Sequence, residues 1–264
     1  MLRLITAGVL VLGCTSGFGQ GPVARPDLKT FDVATIRPVE HDPKGARFMT
    51  MQGPHRFVVK DYTLKMLIAA AYDLSQKTVS GGPDWVSSEH FDITALTPGD
   101  VKPSHDELMT MLRSLLSDRF KLTFHREDKV YSIYELELTK SGPKMKPSTA
   151  AADAPDNLIS IVYPQHILLP ARNTTMSAFA ALLQRAILDR PVVDKTGLAG
   201  RYDFDLQWAP DDSQFGGEAP EMPADTQSAP LFVAIEQQLG LKLEATRGPV
   251  AALIVDKAEQ PSAN

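Results

Sequence analysis

The chain has 264 residues, with 43% hydrophobic and 22% charged side chains, the balance of a globular protein rather than a disordered or membrane-spanning one. A formal net charge of −5 is too mild to dictate a partner. No basic stripe interleaved with aromatics occurs that could neutralise a phosphate backbone, which argues against nucleic acid.

The first twenty residues carry one cation, Arg3, then a short apolar run and the small residues Gly17 and Gly19. This is the pattern of a secretory signal: the apolar stretch is too short for a stable bilayer span. Cleavage after Gly19 or Gln20 gives an exported protein, periplasmic or extracellular, and removes Cys14, the only cysteine. Without disulfides such a protein relies on its apolar core. A rival reading takes Val11-Leu-Gly-Cys14 as a lipobox, with the mature protein anchored to a membrane through Cys14.

Residues 21–30 read as a flexible lead-in. Phe31 to Pro38 alternates apolar and polar side chains as a strand does, and Ala46 to Gln52 with His55 to Val59 makes a hairpin-like pair. Leu64, Leu67, Ile68 and Ala71 share one helical face, with Asp61 or Thr63 as the cap. Phe91 to Ala95 is a strand. Ser104 and Glu107 form a capping box for a helix that turns Leu108, Leu112, Leu115 and Leu116 inward. Two strands, Phe120 to His125 and Val130 to Thr139, follow, joined at Glu127-Asp-Lys129. Residues 141–157 read as a linker.

A strand near His166 opens the second half. The next helix bears Met176, Phe179, Leu183 and Ile187, with Asn173 or Thr174 as cap. Residues 209–227 read as a mobile acidic loop. A last helix starts at Ser228, with Pro230 in its first turn. Two strands turning at Arg247-Gly-Pro249 close the chain, Val250 to Val255 being apolar enough to be central, and residues 258–264 form a tail.

The second half echoes the first. Arg56 to Ala95 matches Leu168 to Trp208 in layout, and His105 to Lys140 matches Ala229 to Lys257. The expected fold is therefore α+β: two similar lobes from an internal duplication, residues 31–140 and 158–257, each with helices packed on a mainly antiparallel sheet.

Arg190-Pro-Val-Val-Asp-Lys-Thr-Gly-Leu-Ala-Gly-Arg-Tyr-Asp-Phe-Asp205, with Phe31 to Pro38 and Gln238 to Leu243, resembles a large paralogous family of exported proteins of unknown function from soil acidobacteria. That resemblance implies no activity, substrate or catalytic residue. Some relatives are joined to membrane-embedded sensor metalloproteases, but this chain has no His-Glu-x-x-His helix to carry such a role. Ala229 to Val255 also resembles, in its order of elements, the short N-terminal domain of secretins and TonB-dependent receptors, which would imply a protein-interaction module.

Chemistry leaves few marks. No two of the six histidines have the i, i+4 spacing of a helical zinc pair, and no nucleophile elbow or phosphate loop is present. The expectation is no catalytic residue, no metal and no cofactor. Asp92, Asp203 and Asp205 could serve a glycosidase as acid and base, yet each alternates with large apolar residues as a strand's solvent face does. Trp85, Arg201, Arg37 and Trp208 are the candidate interaction residues, since Trp and Arg dominate interface energies, although Trp85 could equally plug the end of a core. The leading reading is an exported noncatalytic binding or protein-interaction module for an unknown protein or cell-envelope component. The alternatives are an extracytoplasmic hydrolase using carboxylates in a cleft between lobes, and a small-ligand sensor.

Overall fold

A computed structural model describes residues 27–261 except 43, 44, 100, 101, 152, 153, 155 and 218. The expected export signal, Cys14 and most of the expected lead-in lie outside the described residues. Strand outweighs helix, 41% against 24%, and the architecture is α+β with three sheets. Among the described residues no helix is long and apolar enough to cross a membrane.

The first sheet is antiparallel. It contains β1 (Val33–Val39), β2 (Phe48–Gln52), β3 (Arg56–Thr63) and β5 (His90–Leu96), in the order β1-β5-β3-β2. Its inner face, with Ile36, Phe57, Val59 and Ile93, lies against α1 (Leu64–Ala71) and α3 (His105–Phe120). Helix α1 begins at the cap Thr63, whose hydroxyl accepts from the Met66 amide at 3.2 Å, while Asp61 serves elsewhere. It buries Leu64, Leu67 and Ile68 completely, each contributing roughly 1.5–3 kcal/mol. Helix α3 carries the expected capping box. Between these helices lie β4 (Val79–Gly81) and α2 (Trp85–Ser88).

The second half repeats this order with a second sheet built on β10 (His166–Thr175) and β12 (Arg201–Trp208). Three short strands, β7 (Lys146–Pro147), β8 (Asn157–Leu158) and β9 (Ile161–Tyr163), pair with its edges. The 141–157 segment is thus docked at several points, since Lys146, Pro147 and Asn157 pair with strand edges and Met145 is buried. Helix α4 (Met176–Leu182) continues into a π-helical turn, Leu183–Ile187. Its cap is Thr175, which accepts from Ala178 N, rather than Asn173 or Thr174. Strand β11 (Val192–Asp194) follows. Helix α5 (Leu231–Ala234), entered from Pro230, ends in a second π-helical turn, Ile235–Leu239.

The third sheet joins the halves. Instead of two hairpins, the chain makes two long strands, β6 (Thr123–Leu138, 16 residues) and β13 (Leu241–Lys257, 17 residues), which pair with each other antiparallel along their length. The expected turns at Glu127-Asp-Lys129 and Arg247-Gly-Pro249 lie mid-strand, opposite Val250 to Ala252 and Val130 to Ser132. These central stretches are largely exposed, so charged and turn-forming residues are tolerated there without folding back. Strand β4 adds parallel to β13, and β11 adds parallel to β6.

This exchange ties two hydrophobic cores together. The first core, mostly from residues before 123, also contains Leu253 and Val255 of β13. The second, mostly from residues after 144, contains Tyr134 and Leu136 of β6. Each half completes its core with a strand end from the other.

Candidate functional site

The most distinctive polar geometry lies where β1 ends and β5 begins. Between Val59 and Tyr62 the register of β3 against β5 shifts, so that Lys60 and Asp61 together face Asp92. This is a β-bulge, a device that re-aims side chains. Asp61 has φ = 59°, a left-handed conformation to which Asp is better suited than most residues. Its amide donates to Asp92 Oδ1 at 3.1 Å, and Lys60 Nζ contacts the other oxygen of Asp92.

The bulge turns the Asp61 carboxylate toward two imidazoles. His41 Nδ1 lies 2.9 Å from Asp61 Oδ2 and His90 Nδ1 lies 2.8 Å from Oδ1, and His90 Nδ1 is also 3.2 Å from the Asp61 carbonyl. The two rings stack with centroids 4.5 Å apart and planes inclined by 23°. Asp61 and His90 are 13% and 11% exposed, while His41 is 38% exposed. Asp61 Oδ1, although close to His90, has no hydrogen bond of good geometry and is shut off from solvent.

On the outer face of the same sheet, adjoining this cluster through Asp92, is a depression of about 290 Å³ lined by Thr35, Arg37, Arg56, Lys60, Asp92 and Thr94. Strand alternation explains it: Thr35 and Arg37 of β1 lie across from Thr94 and Asp92 of β5, pointing away from the core. Three cations thus surround one carboxylate, which is already shared between Lys60 and the Asp61 amide.

The second half builds the same bulge with different side chains. Between Ala171 and Thr174 the register of β10 shifts, so Arg172 and Asn173 face Asp203. Asn173 has φ = 54°, and its amide donates to Asp203 Oδ1 at 2.8 Å. That amide and the Ser148 hydroxyl hold the Asp203 carboxyl below its ordinary pKa. The Asn173 side chain closes on backbone, its Nδ2 donating to Ala154 O at 2.7 Å. The strained bulge is therefore scaffold in both halves, and the pair of histidines distinguishes the first.

The four candidate interaction residues do not converge. Arg37 lines the cationic depression. Arg201 donates to the Asn173 carbonyl at 2.8 Å, supporting the second bulge. Trp85 packs edge-on to Phe91 and stacks on Phe120, closing the first core. Trp208 is 0% exposed, with its indole N–H donating to Gln214 at 2.9 Å, so it presents no surface to a partner. Among the carboxylates, Asp92 belongs to the first sheet and Asp203 and Asp205 to the second, Asp205 pairing with Arg172 at 2.8 Å. Asp92 thus shares no sheet with the other two.

Between the halves runs an open groove of about 380 Å³ whose lining includes Leu74, Ala180, Val192, Val250 and one carboxylate, Asp194. Asp194 Oδ1 accepts from the amide and hydroxyl of Thr196. At the edge strand β9, Ile159, Ile161, Val162 and Tyr163 are 40–58% exposed.

The fold and the bulge site define an α+β protein with a polar, histidine-containing face on its first sheet. Residues 65–258 match the family described as protein of unknown function DUF3738, and the chain belongs to that family. No curated protein and no solved structure matches the chain.

Proposed function

We propose that this is a noncatalytic binding protein acting outside the cytoplasm, and that it takes an anionic component of the cell envelope or its surroundings on the outer face of the first sheet. One observation carries the reading: Arg37, Arg56 and Lys60 line one depression in which the sole carboxylate, Asp92, is already engaged. Excess positive charge that opens to solvent favours a ligand carrying carboxylate, sulfate or phosphate.

Oligogalacturonate and its neutral methyl ester are suitable paired probes. The acidic form binds and weakens with added salt, and the doubly substituted Arg37→Ala/Arg56→Ala protein loses it while keeping its thermal midpoint. Equal binding of the ester, or of the doubly substituted protein, refutes the reading. The site outside the cytoplasm rests on the first twenty residues. The intact mass of the mature protein tests it: a start at Gln20 or Gly21 supports cleavage, a lipidated Cys14 supports the anchored form, and retention of Met1 refutes both.

A protein partner is the second reading, favoured by the exposed apolar side chains on edge strand β9. Val162→Lys would abolish such an association, and a partner retained by that variant would rule the edge out. The matching bulges support an origin of the two halves by internal duplication. A half-length relative that lacks the bulge would count against it.

A further inference from the structure

The geometry points to a divalent transition-metal site at His41, Asp61 and His90. One ring nitrogen of each histidine and one carboxylate oxygen of Asp61 all lie within 4.8 Å of one another. Two imidazoles and a carboxylate suit zinc-class ions, with a coordination position left for water or ligand. The site is assembled from three separate segments, since His41 follows β1, Asp61 sits in the β3 bulge and His90 opens β5.

Three further observations separate this cluster from an ordinary surface ion pair. First, both histidines converge on one carboxylate. At His125 the arrangement is the reverse: Asp256 takes Nδ1 and Glu127 takes Nε2, with all three side chains about half exposed. Second, Asp61 is held from behind, its amide bound by Asp92 in the same frame that holds Asn173, so that, unlike a side chain in a surface pair, its carboxylate is positioned by scaffold and Asp92 serves as a positioning residue. Third, Asp61 Oδ1 is buried without a well-formed hydrogen bond, and a bound cation would satisfy it.

Metal–ligand distances of about 2.0–2.2 Å place tetrahedral ligand atoms about 3.3–3.6 Å apart, so the contacts of 2.8 and 2.9 Å to Asp61 open slightly on binding while separations approaching 4.8 Å close. Asp61 and His90 are fixed by the bulge and the sheet. His41, the most exposed of the three, swings out of its stack on His90 to close the site. This inference is independent of the anionic-ligand reading, and the Arg37→Ala/Arg56→Ala protein retains the metal.

The test uses the full chain without a polyhistidine tag, titrated with zinc(II) by calorimetry and with cobalt(II) by visible absorption. One equivalent binds, and cobalt develops the d–d bands of low-symmetry coordination. His41→Ala and His90→Ala each weaken zinc by at least about tenfold. Asp61→Asn does the same with the bulge intact, because Asn occupies the equivalent left-handed position at Asn173. His125→Ala changes nothing. His41→Ala alters an exposed ring and keeps the metal-free thermal midpoint, so a loss of binding there is not a loss of fold. Failure of the wild-type chain to bind one equivalent overturns the assignment. Undiminished affinity in His41→Ala and Asp61→Asn, or a loss confined to His125→Ala, overturns it equally.

Discussion

Leu253 lies on the last strand of the second half, yet its side chain is 0% exposed within the first core, and it pairs with Val79 of β4. Truncating a buried leucine to alanine costs about 2–5 kcal/mol, from lost transfer free energy plus the cavity left behind. Leu253→Ala falls in the upper half of that range, because Val79, Val255 and the β6–β13 ladder hold the site rigid on both sides. With a urea dependence of about 3 kcal/mol per molar, a loss of about 4 kcal/mol lowers the unfolding midpoint by about 1.3 M. Trp85 closes the first core and Trp208 is buried in the second, so Trp85→Phe and Trp208→Phe backgrounds report the two cores separately by fluorescence. Because the third sheet is common to both cores, the two probes give coincident transitions, and Leu253→Ala moves both by the same amount. Leu241→Ala, at the other end of the same strand and fully buried in the second core, also moves both. If Leu253→Ala displaced only the Trp85 transition and Leu241→Ala only the Trp208 transition, the halves would be independent folding units and the shared-sheet argument would fail.

Two more consequences are accessible to the same measurements. Asp73, in the first half, lies 3.3 Å from both Arg185 Nε of the second half and His105 Nε2. Burial alone would raise its pKa, but the hydrogen bond from His105 and the charges of Arg185, His105 and Arg113 outweigh burial and hold it below the ordinary carboxylate range. A lowered folded-state pKa stabilises the fold above the unfolded value of about 3.9, and that contribution is lost as pH falls through the folded value. Asp73→Asn, which suits the residue's positive φ, therefore costs about 1–2 kcal/mol at neutral pH. The difference from wild type vanishes in strong acid, and a pH-independent difference refutes the electrostatic account. Gln214→Leu strands the buried Trp208 indole N–H and costs about 1–3 kcal/mol. An unchanged urea midpoint would show that water replaces the amide.

Local signals were legible where the physics is local. The capping box at Ser104 and Glu107, the apolar stripe of α1, and the strands at Phe31 to Pro38 and Phe91 to Ala95 each follow from contacts a few residues apart. The third sheet was not legible for the same reason. Glu127-Asp-Lys129 and Arg247-Gly-Pro249 carry turn chemistry, and nothing within either segment says that its partner is a strand of the other half. The choice between two hairpins and one long ribbon is made by burial at the strand ends. Tyr134 and Leu136 reach one core and Leu253 and Val255 the other only if both strands run straight.

The site obeys the same rule at smaller scale. A search for two histidines one helical turn apart passes over His41 and His90 because strand pairing, not helical repeat, brings them together: Asp61 is 20 residues after His41 and 29 before His90. Residue type alone made Arg37 and Trp208 equal candidates, but Arg37 stands on the outer face of its strand, whereas Trp208 points inward. Comparing the two bulges separates scaffold from chemistry. Positive φ, the carboxylate that holds the bulge amide and the threonine two residues on that caps the next helix all occur at both Asp61 and Asn173, so none of them by itself argues for a ligand. The second bulge turns an amide onto its own backbone, which completes the local hydrogen bonding. The first instead presents a carboxylate to two imidazoles, and that substitution on a common frame is where a ligand would be recognised.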